Sequence, residues 1–128
     1  MNPKNLKYHK EHDWVRIEGD TAVLGITDYA QDQLGDIVYV ELPEVGTEVT
    51  AGSSYAEVES VKAVSDVYAP VTGTITEVNE EVVDAPEIIN ESPYENGWLV
   101  KVKMSEPGEA DDLMTAEEYE QLLAEEEE

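Results

Sequence analysis

Short stretches in which apolar and polar residues alternate recur along most of the chain, and they constrain its fold more than any other feature. In "SSYAEVES", Ala56 and Val58 face one way, whereas Tyr55, Glu57 and Glu59 face the other. Strict alternation of this kind is typical of a β-strand with one buried face. Because turn residues separate successive stretches, the pattern predicts a mainly β protein.

The N-terminal half predicts a hairpin, a short helix and two further strands. The hairpin spans residues 14–25, with "EGD" at its turn. Thr27 is placed to cap a helix near residues 28–34, and Gly35 to end it in a left-handed conformation. The stretch "DIVYVELPEVGTEVT" predicts a buried strand, a turn at residues 43–46 and a second short strand.

An internal echo relates two segments on either side of Lys62. "DIVYVELPEVGTEV" and "DVYAPVTGTITEV" share a strand, a Pro-x-x-Gly turn and a second strand. The echo predicts a pseudo-symmetric β-structure with Lys62 on the connection between its halves. A late strand is predicted over residues 97–104, in "GWLVKVKM".

The C-terminal segment predicts a helix over about residues 115–125. Thr115 and Glu118 form a capping box, T-x-x-E, and Met114 and Tyr119 are placed as its hydrophobic staple. Its apolar face consists of Tyr119, Leu122 and Leu123. With 128 residues the chain is long enough for one core, so a single domain is expected over residues 1–128, with its core at about 14–104.

The charge of the chain limits its partners. Its 31 acidic and 7 basic residues give a net charge of −24. A surplus of this size repels phosphate backbones and anionic membranes, which excludes nucleic acids and membrane surfaces as partners. Because the surplus is spread along the chain, it predicts a halophilic protein kept soluble in concentrated salt, where self-repulsion is screened. The alternative is an acidic carrier that docks on basic partners.

The composition also bears on chemistry and location. The chain has no cysteine, so any sulfur redox chemistry needs an added group. No apolar run reaches the length of a transmembrane helix, and the N-terminus lacks the apolar stretch of a signal peptide. A cytoplasmic protein is therefore expected.

Lys62 is the only basic residue between Arg16 and Lys101. In "VESVKAVSDVYAP" it lies on a short turn between two predicted strands, so its ammonium would project from a rigid scaffold into solvent. Nearby acidic residues stabilise the charged form of the amine, which disfavours an intrinsic nucleophile. The residues therefore favour a modification site, with an ordinary solvated lysine as the alternative.

Several segments of the chain resemble the glycine cleavage H-protein family. "GSSYAEVESVKAVSDVYAPVTGTITEVN" is similar to its lipoyl-attachment region, and "GITDYAQDQLGD" and "SPYENGWL" also match. The resemblance covers nearly the whole chain. It implies a barrel-sandwich hybrid of the lipoyl/biotinyl-carrier type, with two antiparallel sheets, a short helix near residues 28–34 and a C-terminal helix. Val61 and Ala63 flank Lys62 where biotin carriers have methionines, which favours lipoate over biotin.

The resemblance implies a non-catalytic carrier with one lipoate joined to Lys62 by an amide. Its partners would be a pyridoxal-phosphate glycine decarboxylase (P protein), an aminomethyltransferase (T protein), dihydrolipoyl dehydrogenase (L protein) and a lipoylating enzyme. The carrier would take the aminomethyl group of glycine from the first enzyme to the second and be reoxidised by the third. Two alternatives are an H-like carrier that relays lipoyl groups to other complexes and an unmodified interaction domain.

Four acidic residues are candidates for contacts with the arm or with its enzymes. The resemblance places Glu11, Asp13 and Asp66 in a cleft that holds the ammonium of the load by charge-assisted hydrogen bonds. Asp13 stands where the family commonly has Glu, and Glu11 where a small hydroxyl residue is common in some members. Glu59, just before the turn, is a candidate for recognition by the lipoylating enzyme.

The remaining polar clusters point to no further chemistry. His9 and His12 lie beside two acidic residues, but no other ligand cluster accompanies them, so no metal is expected. The sequence shows neither a Ser-His-Asp nor a Cys-His arrangement, so catalytic residues are not expected either.

Overall fold

Two antiparallel β-sheets make up most of the computed structural model, which describes residues 5–126. The strands are β1 (Lys7–His9), β2 (Asp13–Glu18), β3 (Thr21–Ile26), β4 (Ile37–Glu41), β5 (Glu48–Val49), β6 (Ser54–Ser60), β7 (Val64–Tyr68), β8 (Gly73–Val78) and β9 (Val100–Met104). The larger sheet has the order β1-β2-β3-β9-β8-β5, and the smaller has the order β4-β6-β7. The predicted fold class is confirmed.

Helices connect some of these strands. They are α1 (Asp28–Leu34), α2 (Glu80–Asp84), α3 (Glu87–Glu91) and α4 (Ala116–Glu126), with a 3₁₀ helix (Pro107–Asp112) before α4. The short first helix and the C-terminal helix were predicted, whereas α2, α3 and the 3₁₀ helix were not. Five or six residues are too few to display a helical period of 3.6. Within residues 5–126 no helix has the length and apolar character that crossing a bilayer requires.

The main core lies between the inward faces of the two sheets. On β6, Ala56 and Val58 are 8% and 1% exposed, whereas the side chains between them are only partly buried, so the predicted alternation is confirmed. From the larger sheet, Val15 and Leu24 are fully buried in the same core. Each fully buried Val or Leu contributes roughly 1.5–3 kcal/mol relative to an exposed side chain. The core therefore holds β6, and the turn that follows it, against the rest of the molecule.

Strand β4 was predicted to be buried, but part of it is exposed. Val38 and Tyr39 are 54% and 46% exposed, while Ile37 and Val40 are buried. The pairing of β4 with β6 shifts register between Ile37 and Tyr39, as at a β-bulge. Because a bulge adds a residue on one strand, two neighbouring side chains can both point outward.

The predicted N-terminal hairpin is confirmed as β2 and β3, whose last pair joins Glu18 to Thr21. Trp14 lies directly across from Gly25, and a Cβ atom on Gly25 would come within 2.6 Å of the indole ring. The fully buried indole donates from Nε1 to the carbonyl of Pro93 at 2.8 Å. Glycine at this position therefore lets the Trp14 ring lie flat against β3 and fixes the start of β2.

Helix α1 begins as predicted and ends differently. The Thr27 hydroxyl accepts a hydrogen bond from the amide of Ala30 at 3.2 Å, which is an N-cap. Gly35 has a positive φ of 83°, but its ψ of −156° lies outside the left-handed helical region that was predicted. This conformation is essentially restricted to glycine. It turns the chain directly into the loop before β4.

The C-terminal helix α4 has the predicted capping box. The Thr115 amide donates to the Glu118 carboxylate at 2.9 Å, and the Glu118 amide donates to the Thr115 hydroxyl at 3.2 Å. Tyr119 stacks on Tyr8 with ring centroids 4.8 Å apart, and Met114 packs against the same cluster. The helix is therefore fastened to β1 rather than to the main core.

The internal echo corresponds to a real relation between the two segments. In each segment the first strand, β4 or β7, lies in the smaller sheet on one side of β6. The second strands, β5 and β8, pair with each other in the larger sheet. Each segment therefore crosses from one sheet to the other, and the turn that carries Lys62 joins β6 to the second segment.

Candidate functional site

The turn that carries Lys62 is held by the buried hydroxyl of Ser60. This oxygen accepts hydrogen bonds from the backbone amides of Lys62, at 3.2 Å, and Ala63, at 3.0 Å. The Ser60 amide in turn donates to the Ala63 carbonyl at 2.8 Å. One small side chain therefore satisfies the amides of the turn and leaves the lysine side chain outside it.

The same turn is attached to the loop that follows α1. The amide of Val61 donates to the carbonyl of Asp36 at 3.1 Å. The aliphatic part of Lys62 passes over Gly35, where an added Cβ would lie 3.7 Å from the Cε atom of the lysine. The Lys62 side chain is exposed. As predicted, it projects into solvent from a turn that two separate segments hold in place.

Exposed apolar side chains surround the lysine. Val61 and Val64 are 70% and 60% exposed on either side of it, and Tyr39 lies one strand away from the turn. Apolar side chains clustered on an exposed surface are typical of contact surfaces for other proteins. The tip of the β6–β7 hairpin thus presents a lysine within an apolar surface.

The outer face of the smaller sheet carries two rows of side chains leading away from Lys62. In the first row, Glu59 pairs with Tyr39 on one side and Val64 on the other. In the second row, Glu57 lies between Glu41 and Asp66, so three carboxylates stand abreast across three strands. Like charges directly opposite each other destabilise a sheet. The candidates Glu59 and Asp66 therefore lie on one face of the smaller sheet, in adjacent rows.

A cleft of about 270 Å³ opens over the second row. Its lining includes Ser54, Tyr55 and the three carboxylates of Glu41, Glu57 and Asp66. Sequence alternation placed Glu57 on the correct face, but it did not identify Glu41 as a neighbour of Glu57. The missing signal was the pairing of β4 with β6, which no local pattern specifies. Tyr55 lines the cleft and also packs against the main core, next to a register shift between Ser54 and Ala56.

Asp13 and Glu11 lie in very different environments although they are two residues apart. Asp13 is 1% exposed at the start of β2, whereas Glu11 is exposed in the turn before it. Burial, together with the charge of Glu11, raises the pKa of Asp13 well above its ordinary value. The side chain of Glu11 instead helps to line a separate cleft of about 390 Å³ with His9, Gly52 and Tyr68.

His9 does not neutralise the buried carboxylate. Its Nδ1 atom lies 3.7 Å from Oδ2 of Asp13 and accepts a hydrogen bond from the amide of Glu11 at 3.2 Å. An accepting Nδ1 carries no proton. Burial also lowers the pKa of His9, an effect that outweighs the opposing charge of Glu11. His9 is therefore neutral and presents a lone pair to Asp13.

The turn between β1 and β2 is fixed by His12, which has a left-handed φ of 70°. Its Nδ1 atom is 2.8 Å from the hydroxyl of Tyr119, which is 2.7 Å from the hydroxyl of Thr27. A non-glycine residue in this conformation costs about 1–2 kcal/mol and needs such support. No set of three or more His, Cys, Asp or Glu side chains in residues 5–126 is arranged to hold a metal ion.

A single exposed lysine at the tip of a hairpin, on a sandwich whose two halves echo each other, defines a carrier domain of the lipoyl/biotinyl type. The chain matches the family model of the glycine cleavage H-protein over residues 6–126. It belongs to the glycine cleavage H-protein family.

Individual relatives agree with this family match. The glycine cleavage system H protein of Carboxydothermus hydrogenoformans is 55% identical over 124 residues, which are 97% of this chain and 95% of the relative. That of Geobacillus kaustophilus is 58% identical over 123 residues, covering 96% and 97% of the two chains. The crystal structure of the H protein from Mycobacterium marinum, 43% identical, matches with a TM-score of 0.89 over 96% of this chain and 99% of that one.

Family membership confirms the predicted function at the level of the system. The protein is a lipoyl carrier of glycine cleavage and not itself an enzyme. Neither a relay to other complexes nor an unmodified interaction domain is favoured.

Proposed function

We propose that Lys62 bears the lipoyl group, as an amide on its Nζ atom. The observation that carries this proposal is the exposure of Lys62 on a turn whose backbone is held by Ser60 and Asp36. A swinging arm needs an anchor that several enzymes can reach and a base that does not move with it. Bound lipoate supplies the dithiol and disulfide chemistry that a chain without cysteine cannot supply.

The residues around Lys62 fit an acylated lysine. Val61 and Val64 offer apolar surface beside the anchor, and Gly35 leaves room for the lysine stem. Glu59 is only partly exposed and lies next to the turn, paired with Val64. We assign Glu59 to recognition by the lipoylating enzyme, because the pairing of its strand on both sides fixes its backbone close to the turn of Lys62.

The cargo of the arm is the aminomethyl group of glycine, and its primary amine is the part that acidic residues can bind. Asp66 lines the 270 Å³ cleft from β7. Asp13 is buried at the start of β2, and its Oδ2 atom lacks a hydrogen-bond partner among the described residues. Both can accept charge-assisted hydrogen bonds from an amine. Glu11 is exposed and lines the separate 390 Å³ cleft, so we assign it the role of raising the negative potential around Asp13.

The partners follow from this chemistry. The decarboxylase (P protein) supplies the aminomethyl group, the aminomethyltransferase (T protein) removes it, and dihydrolipoyl dehydrogenase (L protein) restores the disulfide. Each must reach Lys62, so each is expected to contact the apolar surface formed by Tyr39, Val61 and Val64. The carboxylates behind this surface favour partners with a basic rim.

The assignment of Lys62 is tested by the intact mass of the protein purified from its own source, with peptide mapping. A mass increase of one lipoyl group on the peptide that contains Lys62 is expected. A mass increase of one biotinyl group at the same lysine would change the assigned cofactor from lipoate to biotin, but the protein would still be a carrier. An unmodified lysine in cells that are degrading glycine would contradict the proposal.

We further propose that the protein works in the cytoplasm of a halophile, and stability in salt tests this. The chain has a net charge of −24, so its acidic side chains repel one another in dilute buffer. The row of Glu41, Glu57 and Asp66 is one place where this repulsion acts at short range. At about 1 M salt the Debye length falls to about 3 Å, so this repulsion is screened. The midpoint of thermal unfolding, followed by circular dichroism, is expected to rise clearly between dilute buffer and molar salt.

The matched variant for this experiment is Glu57→Gln. Because Glu57 stands between two other carboxylates, its neutralisation should stabilise the protein by about 0.5–1 kcal/mol in dilute buffer and by less in molar salt. A thermal midpoint that does not depend on salt would argue against adaptation to a salty cytoplasm, and it would leave the carrier assignment intact.

A further inference from the structure

The side chain of Asn90, on α3, binds the end of α1 and the loop between α1 and β4. Its Oδ1 atom accepts a hydrogen bond from the amide of Ile37 at 2.8 Å. Its Nδ2 atom donates to the carbonyl of Gly35 at 2.9 Å and to Oε1 of Gln31 at 2.8 Å. Because a backbone amide only donates and a carbonyl only accepts, this side chain needs both an acceptor and a donor.

One planar peptide unit connects Asn90 to the turn of Lys62. The carbonyl of Asp36 and the amide of Ile37 belong to this unit, so they point in opposite directions. The amide donates to Asn90, and the carbonyl accepts from the amide of Val61 at 3.1 Å. Asn90 therefore binds one side of the unit, and the turn of Lys62 binds the other.

The preceding peptide unit, between Gly35 and Asp36, is also bound by Asn90. Gly35 has a φ of 83° and a ψ of −156°, a conformation essentially restricted to glycine. Since glycine can adopt many other conformations, the hydrogen bond to its carbonyl helps to select this one. With a peptide unit held on each side of Asp36, the direction of its carbonyl toward the turn is fixed.

The contact between Asp36 and Val61 lies just beyond the paired parts of β4 and β6. Ile37 and Ser60 are the last pair of the two strands. The side chain of Val61 is 70% exposed, so packing in the core does not hold this residue. The hydrogen bond from its amide to Asp36 is therefore an important constraint on the first residue of the turn, and Asn90 supports it.

We propose that Asn90 is a positioning residue for the lipoylation of Lys62. It fixes the loop of residues 35–37, and through this loop the turn that presents the lysine to the lipoylating enzyme. Without Asn90 the turn would sample more backbone conformations, and the enzyme would have to order it in each encounter. Ordering the backbone of one residue lowers an equilibrium constant by about 5- to 30-fold. This inference rests on the function proposed above, because it takes Lys62 as the modified residue.

The experiment measures lipoylation of the full-length, unmodified protein by a purified lipoylating enzyme supplied with lipoyl adenylate. The amine of Lys62 forms an amide bond with the lipoyl carbonyl, the bond to AMP breaks, and the amine loses one proton to solvent. For Asn90→Ala, the KM for the carrier should rise about 5- to 30-fold while kcat stays nearly unchanged. Ordering the turn opposes the bound complex and the transition state equally, which is why KM changes and kcat does not.

A second readout reports on the turn itself. In the wild type the amide of Val61 donates to Asp36, which slows its exchange with solvent deuterium. In Asn90→Ala this amide should exchange faster, as followed by NMR, while amides of the buried strand β9 should keep their relative protection. Acetic anhydride needs no docking, so it should acetylate Lys62 at the same rate in both proteins.

Asn79→Ala is the matched control. The Asn79 side chain also makes three hydrogen bonds, and these go to the backbone of Glu81, Asn96 and Trp98 instead of the loop of residues 35–37. Asn79 is 6% exposed, so its replacement should destabilise the protein at least as much as that of Asn90. All proteins are assayed at a temperature at which circular dichroism shows them folded, and Asn79→Ala should have the wild-type KM.

Asn90→Asp is a milder variant that keeps part of the contact. Its carboxylate can still accept from the amide of Ile37, but it cannot donate to the carbonyl of Gly35. Its KM should therefore lie between those of the wild type and Asn90→Ala. This variant also keeps the test decisive if Asn90→Ala does not fold.

The outcomes separate this inference from the function on which it rests. Asn90 variants with the wild-type KM, or an equal rise in KM for Asn79→Ala, would show that the turn needs no support from Asn90. A fall in kcat alone, unchanged exchange at Val61, or altered acetylation of Lys62 would contradict positioning in the same way. If the wild type gains no lipoyl group on Lys62, the proposed function itself fails, whatever the Asn90 variants do.

Discussion

Replacing Lys62 with Arg is expected to abolish the carrier activity while leaving the fold intact. Formation of the amide requires a primary amine, and the guanidinium of arginine stays protonated and cannot be acylated in its place. The side chain is exposed, and the bonds that hold its turn run through the backbone and Ser60. The free energy of unfolding should therefore change by no more than about 0.5 kcal/mol.

Two measurements together check this prediction. Glycine-dependent reduction of NAD is followed in a mixture that contains the decarboxylase, the aminomethyltransferase and dihydrolipoyl dehydrogenase, and stability is followed by urea unfolding. Lys103→Arg is the matched control, because Lys103 is also exposed and lies on β9, away from the turn. A Lys62→Arg protein that still supports NAD reduction would show that the arm is attached elsewhere or that no arm is needed.

Local sequence patterns predicted those parts of the fold that are determined by residues close together in the chain. Alternation along β6 identified its inward and outward faces, and the T-x-x-E pattern identified the start of α4, with both capping bonds present. Such features depend on residues a few positions apart. The Lys62 turn was predicted for the same reason. The two flanking segments have strand patterns, and the few residues between them can only form a short connection.

Features that depend on distant segments escaped prediction. The exposure of Val38 and Tyr39 follows from a register shift against β6, which lies on another part of the chain. The burial of Asp13 follows from the β1–β2 turn, which His12 holds through Tyr119 in the last helix. In a chain with 31 acidic residues, nothing in the local sequence marks one of them as buried.

The buried carboxylate of Asp13 is also the basis of the second large effect. The Asp13→Asn variant is expected to be more stable than the wild type at neutral pH, by about 1–3 kcal/mol, because it removes a buried carboxylate oxygen that has no donor. Residues that bind a ligand often reduce the stability of the ligand-free protein in this way. The groups that face Asp13 are His9, which is neutral, Glu11 and Tyr55.

The stability difference should depend on pH in a defined direction. Because the pKa of Asp13 is raised in the folded protein, folding favours the protonated carboxyl. That contribution is complete below the unfolded pKa of about 3.8 and is lost as the pH rises through the folded pKa. The advantage of Asp13→Asn should therefore be small in acid and grow as the pH rises, which urea unfolding at a series of pH values would measure.

The same variant should retain its cargo poorly. A hydrogen bond to an ionised group contributes about 1.5–3 kcal/mol. When loaded with its aminomethyl cargo, Asp13→Asn should therefore release formaldehyde, the hydrolysis product of that cargo, about 10- to 100-fold faster than the loaded wild type. Lipoylation at Lys62 should be unaffected, because Asp13 lies on β2 and not on the turn. If Asp13→Asn is instead less stable than the wild type at pH 8, the carboxylate has a donor in the ligand-free protein. That result would rule out a site at Asp13 that only a bound amine completes. Such a site requires that Asp13→Asn both gains stability and loses its cargo faster.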